Sequence, residues 1–515
     1  MRDNRKGVLV LGLTVAALCT LLSPAFAQGG KTRMSGPPQP PKITTKPTGT
    51  WLPKSIGYIK ASNTGKDNQF GAAVALSADG NTLAVGAITE GSAAKGINGV
   101  SKDQAVNSGA VYVYTRDAKG WKQQAYLKAS NAAASAYFGN ALSLSADGNL
   151  LAVGSFAEAS SATGVNGNQS DRSMPGAGAV YVFARAGTTW SQQAYLKASN
   201  TGGPDLGYQF GFALSLSSDG STLAVSETSD PSNATGINGN AKDTSAPEAG
   251  AVFVFTHSGS TWSQQAYIKP WNTTTPNLLF GYSVGVSGNG DTLAVGAYND
   301  EARRGSVYIF TRNNGTWSQQ MRVLATNGEV GDYLGCALAI SDDGNTVVAA
   351  AVEDKFAQIN AGQTDVVDSV GGVHVFVRTA GKWSQQAYLK AFNPRENDQF
   401  GWAVAMSRDG NTIAVGSHFE DSGAKGVNGN QSDASSEDSG AVYVYTRTGT
   451  TWNPTAYVKA SNTKPSAEFG ISVALNGDGK NLAVGAPRED SAAKGVNGKQ
   501  EDKSAPSAGA AYVYY

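Results

Sequence analysis

The residues whose types and spacing could do chemistry lie in a polar stretch that recurs along the chain. One copy reads Glu420-Asp421-Ser422-Gly423-Ala424-Lys425-Gly426-Val427-Asn428-Gly429-Asn430-Gln431-Ser432-Asp433. Asp421, Asn428, Asn430 and Asp433 are the candidate metal ligands, and Ca²⁺ is the cofactor they suggest. Such a cation takes roughly six to eight oxygens from carboxylates, amides and carbonyls. Related stretches contain Gly96-Ile97-Asn98-Gly99, Gly164-Val165-Asn166-Gly167, Gly236-Ile237-Asn238-Gly239 and Gly495-Val496-Asn497-Gly498. Two other readings stand beside the metal. The stretch can fold on itself, with Asn-Gly as a turn, the Val or Ile tucked inward and the polar residues solvated. It can also touch a glycan or protein ligand directly.

Nucleophilic and acid–base chemistry finds less. The histidines are His257, His374 and His418, and none lies near a recognisable nucleophile motif. The sequence has no phosphate loop, zinc spacing or serine elbow. Cys336 stands where other copies have Ala72 or Phe212, which reads as a buried filler. No catalytic residue is assigned, and the chain is not expected to be an enzyme.

One longer repeat must position these stretches. Its sixth copy begins Phe400-Gly401-Trp402-Ala403-Val404-Ala405-Met406, turns at Asp409-Gly410, and continues Ile413-Ala414-Val415-Gly416. After the polar stretch come Gly440-Ala441-Val442-Tyr443-Val444-Tyr445 and a run that follows Trp452. The Phe-Gly step recurs at Phe70, Phe138, Phe210, Phe280, Phe400 and Phe469, with Leu334-Gly335 in the fifth copy. Asp-Gly or Asn-Gly between apolar runs tolerates the positive φ of a tight hairpin turn. Seven copies of four short strands predict an all-β fold, a seven-bladed β-propeller of four-stranded antiparallel blades.

The first strand-like run, Tyr58-Ile59-Lys60-Ala61, matches a fourth strand, and Ala511-Tyr512-Val513-Tyr514 matches a third. The N-terminal strand is therefore expected to close the seventh blade. Lys60, Lys128, Lys197, Lys269, Lys390 and Lys459 recur on the predicted outer strand. They are expected to guard exposed sheet edges against aggregation.

The repeat resembles the FG-GAP repeat of integrin α chains and of many bacterial exported proteins. The second half of that motif is complete only at Gly485-Ala486-Pro487, is partial at Gly86-Ala87 and Gly296-Ala297, and fails at Ser226-Glu227 and Ala350-Ala351. The resemblance implies a propeller and suggests extracellular recognition or adhesion. Integrin propellers carry calcium in several first hairpin turns. Here those turns read Ser77-Ala78-Asp79-Gly80-Asn81, with about one carboxylate each, and the plain hairpin is expected. In the family's topology the loop between second and third strands opens on the same face as the link between blades. Five copies share the long loop, the fourth reduces it to Asn299-Asp300-Glu301-Ala302-Arg303-Arg304, and the fifth replaces it.

The chain of 515 residues carries 40 basic and 40 acidic side chains, which argues against nucleic acid as a partner. Residues 1–27 read as a signal peptide, with Arg2, Arg5 and Lys6 before an apolar run and Ala25-Phe26-Ala27 before the cleavage point. Residues 28–50 read as a Pro/Gly-rich linker and 51–515 as the propeller. No membrane span is expected. The expected product is an exported monomer, whether secreted, periplasmic or on the cell surface. It would bind an extracellular protein or polysaccharide through the long-loop face. The alternative is a propeller hydrolase or lyase acting on carbohydrate, with paired carboxylates at the channel mouth.

Overall fold

Apolar runs on either side of each Asp-Gly pair fold as a hairpin, and two further strands complete each blade. In the first blade Phe70–Leu76, Thr82–Ala87, Ala110–Asp117 and Gly120–Leu127 lie in that order across the sheet. The computed structural model describes Pro47 and residues 51–515, except Lys102 and residues 203–206, 272–275 and 361–362. The expected signal peptide and most of the linker lie outside the described residues. Within them are seven four-stranded antiparallel sheets, the blades of a propeller. Ile56–Ile59 is the outer strand of the last sheet, with Tyr58 opposite Tyr512 of Ala510–Tyr514. A parallel bridge between Phe70 and Gly509 then joins the first blade to the seventh.

The hairpin turns consume their own carboxylates. Asp79 Oδ1 accepts from the Ser77 hydroxyl at 2.5 Å and the Asn81 N–H at 2.9 Å, and Oδ2 accepts from the Asn81 amide at 3.0 Å. Asp147, Asp343 and Asp409 repeat the arrangement. Partial burial opposes ionisation of Asp79, yet the donors from Ser77 and Asn81 outweigh it and hold the carboxyl below its usual range. One carboxylate already filled by local donors does not make a calcium cage.

The two glycines of the repeat meet across the seam between blades. A Cβ on Gly86 would lie 2.2 Å from the carbonyl oxygen of Gly139, and one on Gly485 would lie 1.8 Å from that of Gly71. Gly154 faces Gly211 in the same way, Gly296 faces Gly335, and Gly416 faces Gly470. Where the motif fails, the small side chains of Ser226 and Ala350 face Gly281 and Gly401. Alanine at Gly86 is expected to cost about 2–3 kcal/mol, because backbone on both sides must shift. Chemical denaturation would register it as a lower midpoint, and an unchanged midpoint would refute the close approach.

The core is aromatic and lies within and between blades. Phe70 meets Tyr112 and Tyr114 edge-on, with centroids 5.4 and 6.3 Å apart, and Phe138 meets Tyr181 and Phe183 likewise. On the tight-turn face, Trp190 donates to Gln124 of the preceding blade at 2.8 Å, while Arg185 stacks on Trp190. Trp262, Trp317, Trp383 and Trp452 repeat the link to a glutamine. Cys336 is buried in this core, as expected. In the fifth blade the glycine equivalent to Gly440 is Gly371, which approaches the Phe400 carbonyl as Gly440 approaches that of Phe469.

Candidate binding face

Antiparallel order places the loops between second and third strands on the same face as the links between blades. The other face carries the tight turns. Within the sixth-blade loop, Asn428 has a left-handed backbone, with φ of 56°. Its N–H donates to the Tyr457 carbonyl at 2.7 Å, and its side-chain oxygen accepts from the Tyr457 N–H at 3.0 Å. The Lys459 N–H donates to Gly426 at 2.7 Å, and Val427 bridges to Val458. The loop thus folds back as a short fifth strand on the outer edge of its own blade. Asn98 clamps Tyr126, Asn166 clamps Tyr195, Asn238 clamps Tyr267 and Asn497 clamps Tyr58 in the same way. The tucked Val or Ile and the Asn-Gly turn follow the local reading of the loop.

This fold-back overturns the expectation for the lysines. Lys60, Lys128, Lys197, Lys269, Lys390 and Lys459 are buried, not exposed edge charges. In the five blades that carry the fold-back, the loop strand itself covers the edge, so the lysine side chain runs beneath it to the acid that begins the loop. Lys459 reaches Glu420 at 2.7 Å, Lys128 reaches Glu90 at 2.7 Å, Lys60 reaches Glu489 at 2.7 Å, Lys197 reaches Glu158 at 3.0 Å and Lys269 reaches Asp230 at 2.9 Å. Lys390 lies 3.5 Å from Asp354. Burial pulls Lys459 below its ordinary range, and the Glu420 charge works against that pull. The fourth blade has Leu324 at the lysine position. Two residues earlier, on the same side of the strand, Arg322 replaces the tyrosine and reaches Asp300 at 2.8 Å.

The acids also tie blades together. Asn131, which follows the first blade's outer strand, donates to Glu158 of the second blade at 2.8 Å and accepts from the Tyr181 hydroxyl. Asn462 does the same with Glu489 at 3.0 Å and Tyr512 at 2.5 Å. The loops therefore stand on a buried network that spans the seams.

The four candidate metal ligands are occupied within the loop. Asp433 accepts from the Gly423 N–H at 2.9 Å and from the Ser435 hydroxyl and N–H. The Ser435 hydroxyl is the largest of the influences that hold its carboxyl below the usual range. Asp421 accepts from the Asp438 N–H at 3.0 Å, Asn430 from the Ser432 N–H at 3.1 Å, and Asn428 from Tyr457. The structure uses these side chains to pin the loop at four separate points. Among the described residues, no group of three or more His, Cys, Asp or Glu side chains is placed to hold a metal. With each of the four side chains already accepting from an N–H or O–H donor, the melting midpoint is expected to be the same in excess Ca²⁺ and in chelator. A calcium-dependent rise would identify the four residues as ligands.

The sequence signalled none of the unusual acids. Burial pushes Asp398 up to about 8, with Glu420 adding to the effect. Burial also pushes Asp332 and Glu468 up to about 7. Glu227 is fully buried, and no donor reaches either carboxylate oxygen. These groups sit beside the blade seams. The central channel is a cavity of about 220 Å³ lined by inner strands, including Ala72, Asn140, Tyr282, Cys336, Trp402 and Ile471. The histidines have structural surroundings. His418 lies against Trp402 and Phe419, with ring centroids 4.1 and 3.8 Å away, and His374 stacks on Tyr388. Burial lowers both to about 3, so both stay neutral at ordinary pH. His257 lies tilted against Trp262, with ring centroids 4.6 Å apart, taking the place Arg185 has on Trp190.

The FG-GAP repeat matches residues 121–183, 262–310, 317–367, 383–445 and 452–514. No curated protein matches the chain. Among solved structures, the chain is similar to Kuenenia stuttgartiensis hydrazine synthase at 14% identity, over 83% of this chain and 94% of that one, with a TM-score of 0.45. It is similar to the Cps50 (Swd1) β-propeller domain of Myceliophteria thermophila at 10% identity, over 83% and 95%, with a TM-score of 0.46. It is also similar to the RRP9 WD40 repeats at 8% identity, over 90% and 98%, with a TM-score of 0.49. With the repeat matched over more than half of its residues, the chain belongs to the FG-GAP repeat family.

Proposed function

We propose that this chain is an exported binding module that presents its long-loop face to a surface protein or polysaccharide. The observation that supports it is the double fixing of each long loop. The Asn clamp ties the loop to the outer strand, and the buried Lys–acid pair ties its first residue to the blade. A loop held this way loses little entropy on binding. It still offers exposed groups to a ligand. Lys95, Lys425 and Glu437 are exposed, and Val100 and Val106 of the first loop are 93% and 63% exposed. Calcium is not needed for this reading, and no acid–base pair enters it.

The fourth blade supplies the test, since it closes the same gap with a short turn. Residues 419–439 are replaced by Asn299–Arg304, with Tyr457→Arg and Lys459→Leu to match the fourth blade. Binding of the mature protein to cell-surface extracts is expected to fall at least tenfold, with the melting curve retained. Equal binding by a folded variant would remove the loop face from the function. The export half has a separate check. Mass spectrometry of the protein from the producing cells is expected to find Gln28 as the first residue, and an intact Met1 start would refute export by this leader.

A further inference from the structure

The fourth blade lacks the segment that covers the outer edge in five others. In its place is the single turn Asp300–Arg303, with Glu301 and Ala302 in left-handed conformation at φ of 50° and 57°. The outer strand Thr316–Val323 still pairs with Ser306–Asn313, with the same bulge as in the first blade, and Arg322 lies opposite Tyr308 as Tyr126 lies opposite Tyr112. Arg322 and Leu324 thus occupy the places of Tyr126 and Lys128. In the first blade the Tyr126 N–H donates to Asn98, its carbonyl accepts from the Asn98 N–H, and the Lys128 N–H donates to Gly96. Among the described residues, nothing takes these positions at Arg322 and Leu324. A row of unpaired strand groups is a template for another strand.

The surface beside this edge points the same way independently. Trp271 is 55% exposed, Met321 38%, Leu324 44% and Val330 60%. The alanines in register with Met321 are nearly fully buried, as at Ala125 and Ala266. The Trp271 backbone N–H donates to the Gln319 side chain of the outer strand at 3.1 Å, which holds this residue beside the edge. Arg303 and Arg304 are exposed at the adjoining turn, while Arg322 is already held by Asp300 and Glu301.

We infer that the outer edge of the fourth blade docks an extended segment of a partner protein, with a Gly-Val-Asn-Gly or Gly-Ile-Asn-Gly core and an acidic residue beside it. The chain shows five times what such an edge accepts. The Asn returns two hydrogen bonds to one strand residue, and the β-branched residue bridges the strand. The preceding glycine carbonyl takes the N–H two residues further on. The acid answers Arg303 and Arg304. This is strand addition, in which backbone bonds supply affinity and alternate side chains supply selectivity. It does not depend on the loop-face reading.

The probe is a synthetic peptide of the sequence Lys425–Asp433, titrated calorimetrically into the mature protein. Saturable binding with one peptide per chain is expected, with a dissociation constant on the order of micromolar to hundreds of micromolar. Alanine at the peptide's first Asn is expected to weaken it at least tenfold. A chain carrying the sixth-blade loop in place of Asn299–Arg304, with Arg322→Tyr and Leu324→Lys, covers its own edge and is expected to bind no peptide. If that graft fails to fold, Leu324→Pro removes one outward N–H and is expected to weaken binding several-fold. Three results would overturn the inference: no binding at millimolar peptide, equal binding by the folded graft or by Leu324→Pro, and a concentration-dependent dimer that excludes the peptide.

Discussion

Glu420→Ala is expected to destabilise the protein by about 3–5 kcal/mol, the usual cost of leaving one member of a buried ion pair unpaired. Lys459 would keep only the Ser439 hydroxyl, at 2.8 Å, as a side-chain partner. Asn393 would lose its 3.2 Å contact to the same carboxylate, which crosses the seam from the fifth blade. The double variant Glu420→Leu with Lys459→Met removes both charges and is expected to recover most of the loss. By contrast, Lys122→Ala breaks an exposed pair with Asp117 and should leave the midpoint unchanged. Urea denaturation of the four proteins decides the matter. If Glu420→Ala unfolds at the wild-type midpoint, the Lys–acid pair does not hold the loop.

The second large effect is a pH dependence centred on Glu227 and Asp398. Glu227 ends the strand Thr222–Glu227, at the position filled by Ala87, Ser155, Ala297, Ala351, Ser417 and Ala486 in other blades. Burial raises its pKa well above the ordinary value, and the neighbouring Asp230 charge adds to this, against weaker opposition from Lys197 and Lys269. Tyr208 lies near enough to feel the same charge. A carboxyl raised on folding keeps its proton in the native state after the unfolded chain has lost it. Its contribution is therefore full below the ordinary pKa and falls as pH rises towards the folded value. Glu227→Gln cannot ionise, so the variant should match wild type near pH 4 and exceed it increasingly above pH 5. The slope is at most about 1.4 kcal/mol per pH unit. Asp398→Asn should follow the same course and level off near pH 8, where the Asp398 carboxyl finally ionises in the folded state. Melting temperatures from pH 4 to 9 test both, and parallel curves for wild type and variants would show that neither acid is protonated in the fold.

Much of the fold was legible in the residues because its signals are local. Asp79-Gly80 and its relatives specify turns through the positive φ that Gly tolerates and the donors that Ser77 and Asn81 bring to Asp79. The strand at Ile56–Ile59 could be assigned to the last blade because it repeats an outer-strand sequence. The Asn-Gly turns and tucked Val and Ile were readable for the same reason.

The lysines were misread because burial of a charge depends on a partner distant in sequence. Lys60 and Glu489 are separated by nearly the whole chain, and nothing near Lys60 announces that acid. Only the folding of the loop over the outer edge turns an apparently exposed Lys459 into a buried ion. Only blade packing explains why Gly86 and Gly139 must both lack a side chain. Sequence alone determined the number of blades, their turns and which loops are alike, since each follows from spacing and local backbone preference. Tertiary structure alone decided which charges are buried and which strand edge is left open, since each depends on what another part of the chain covers.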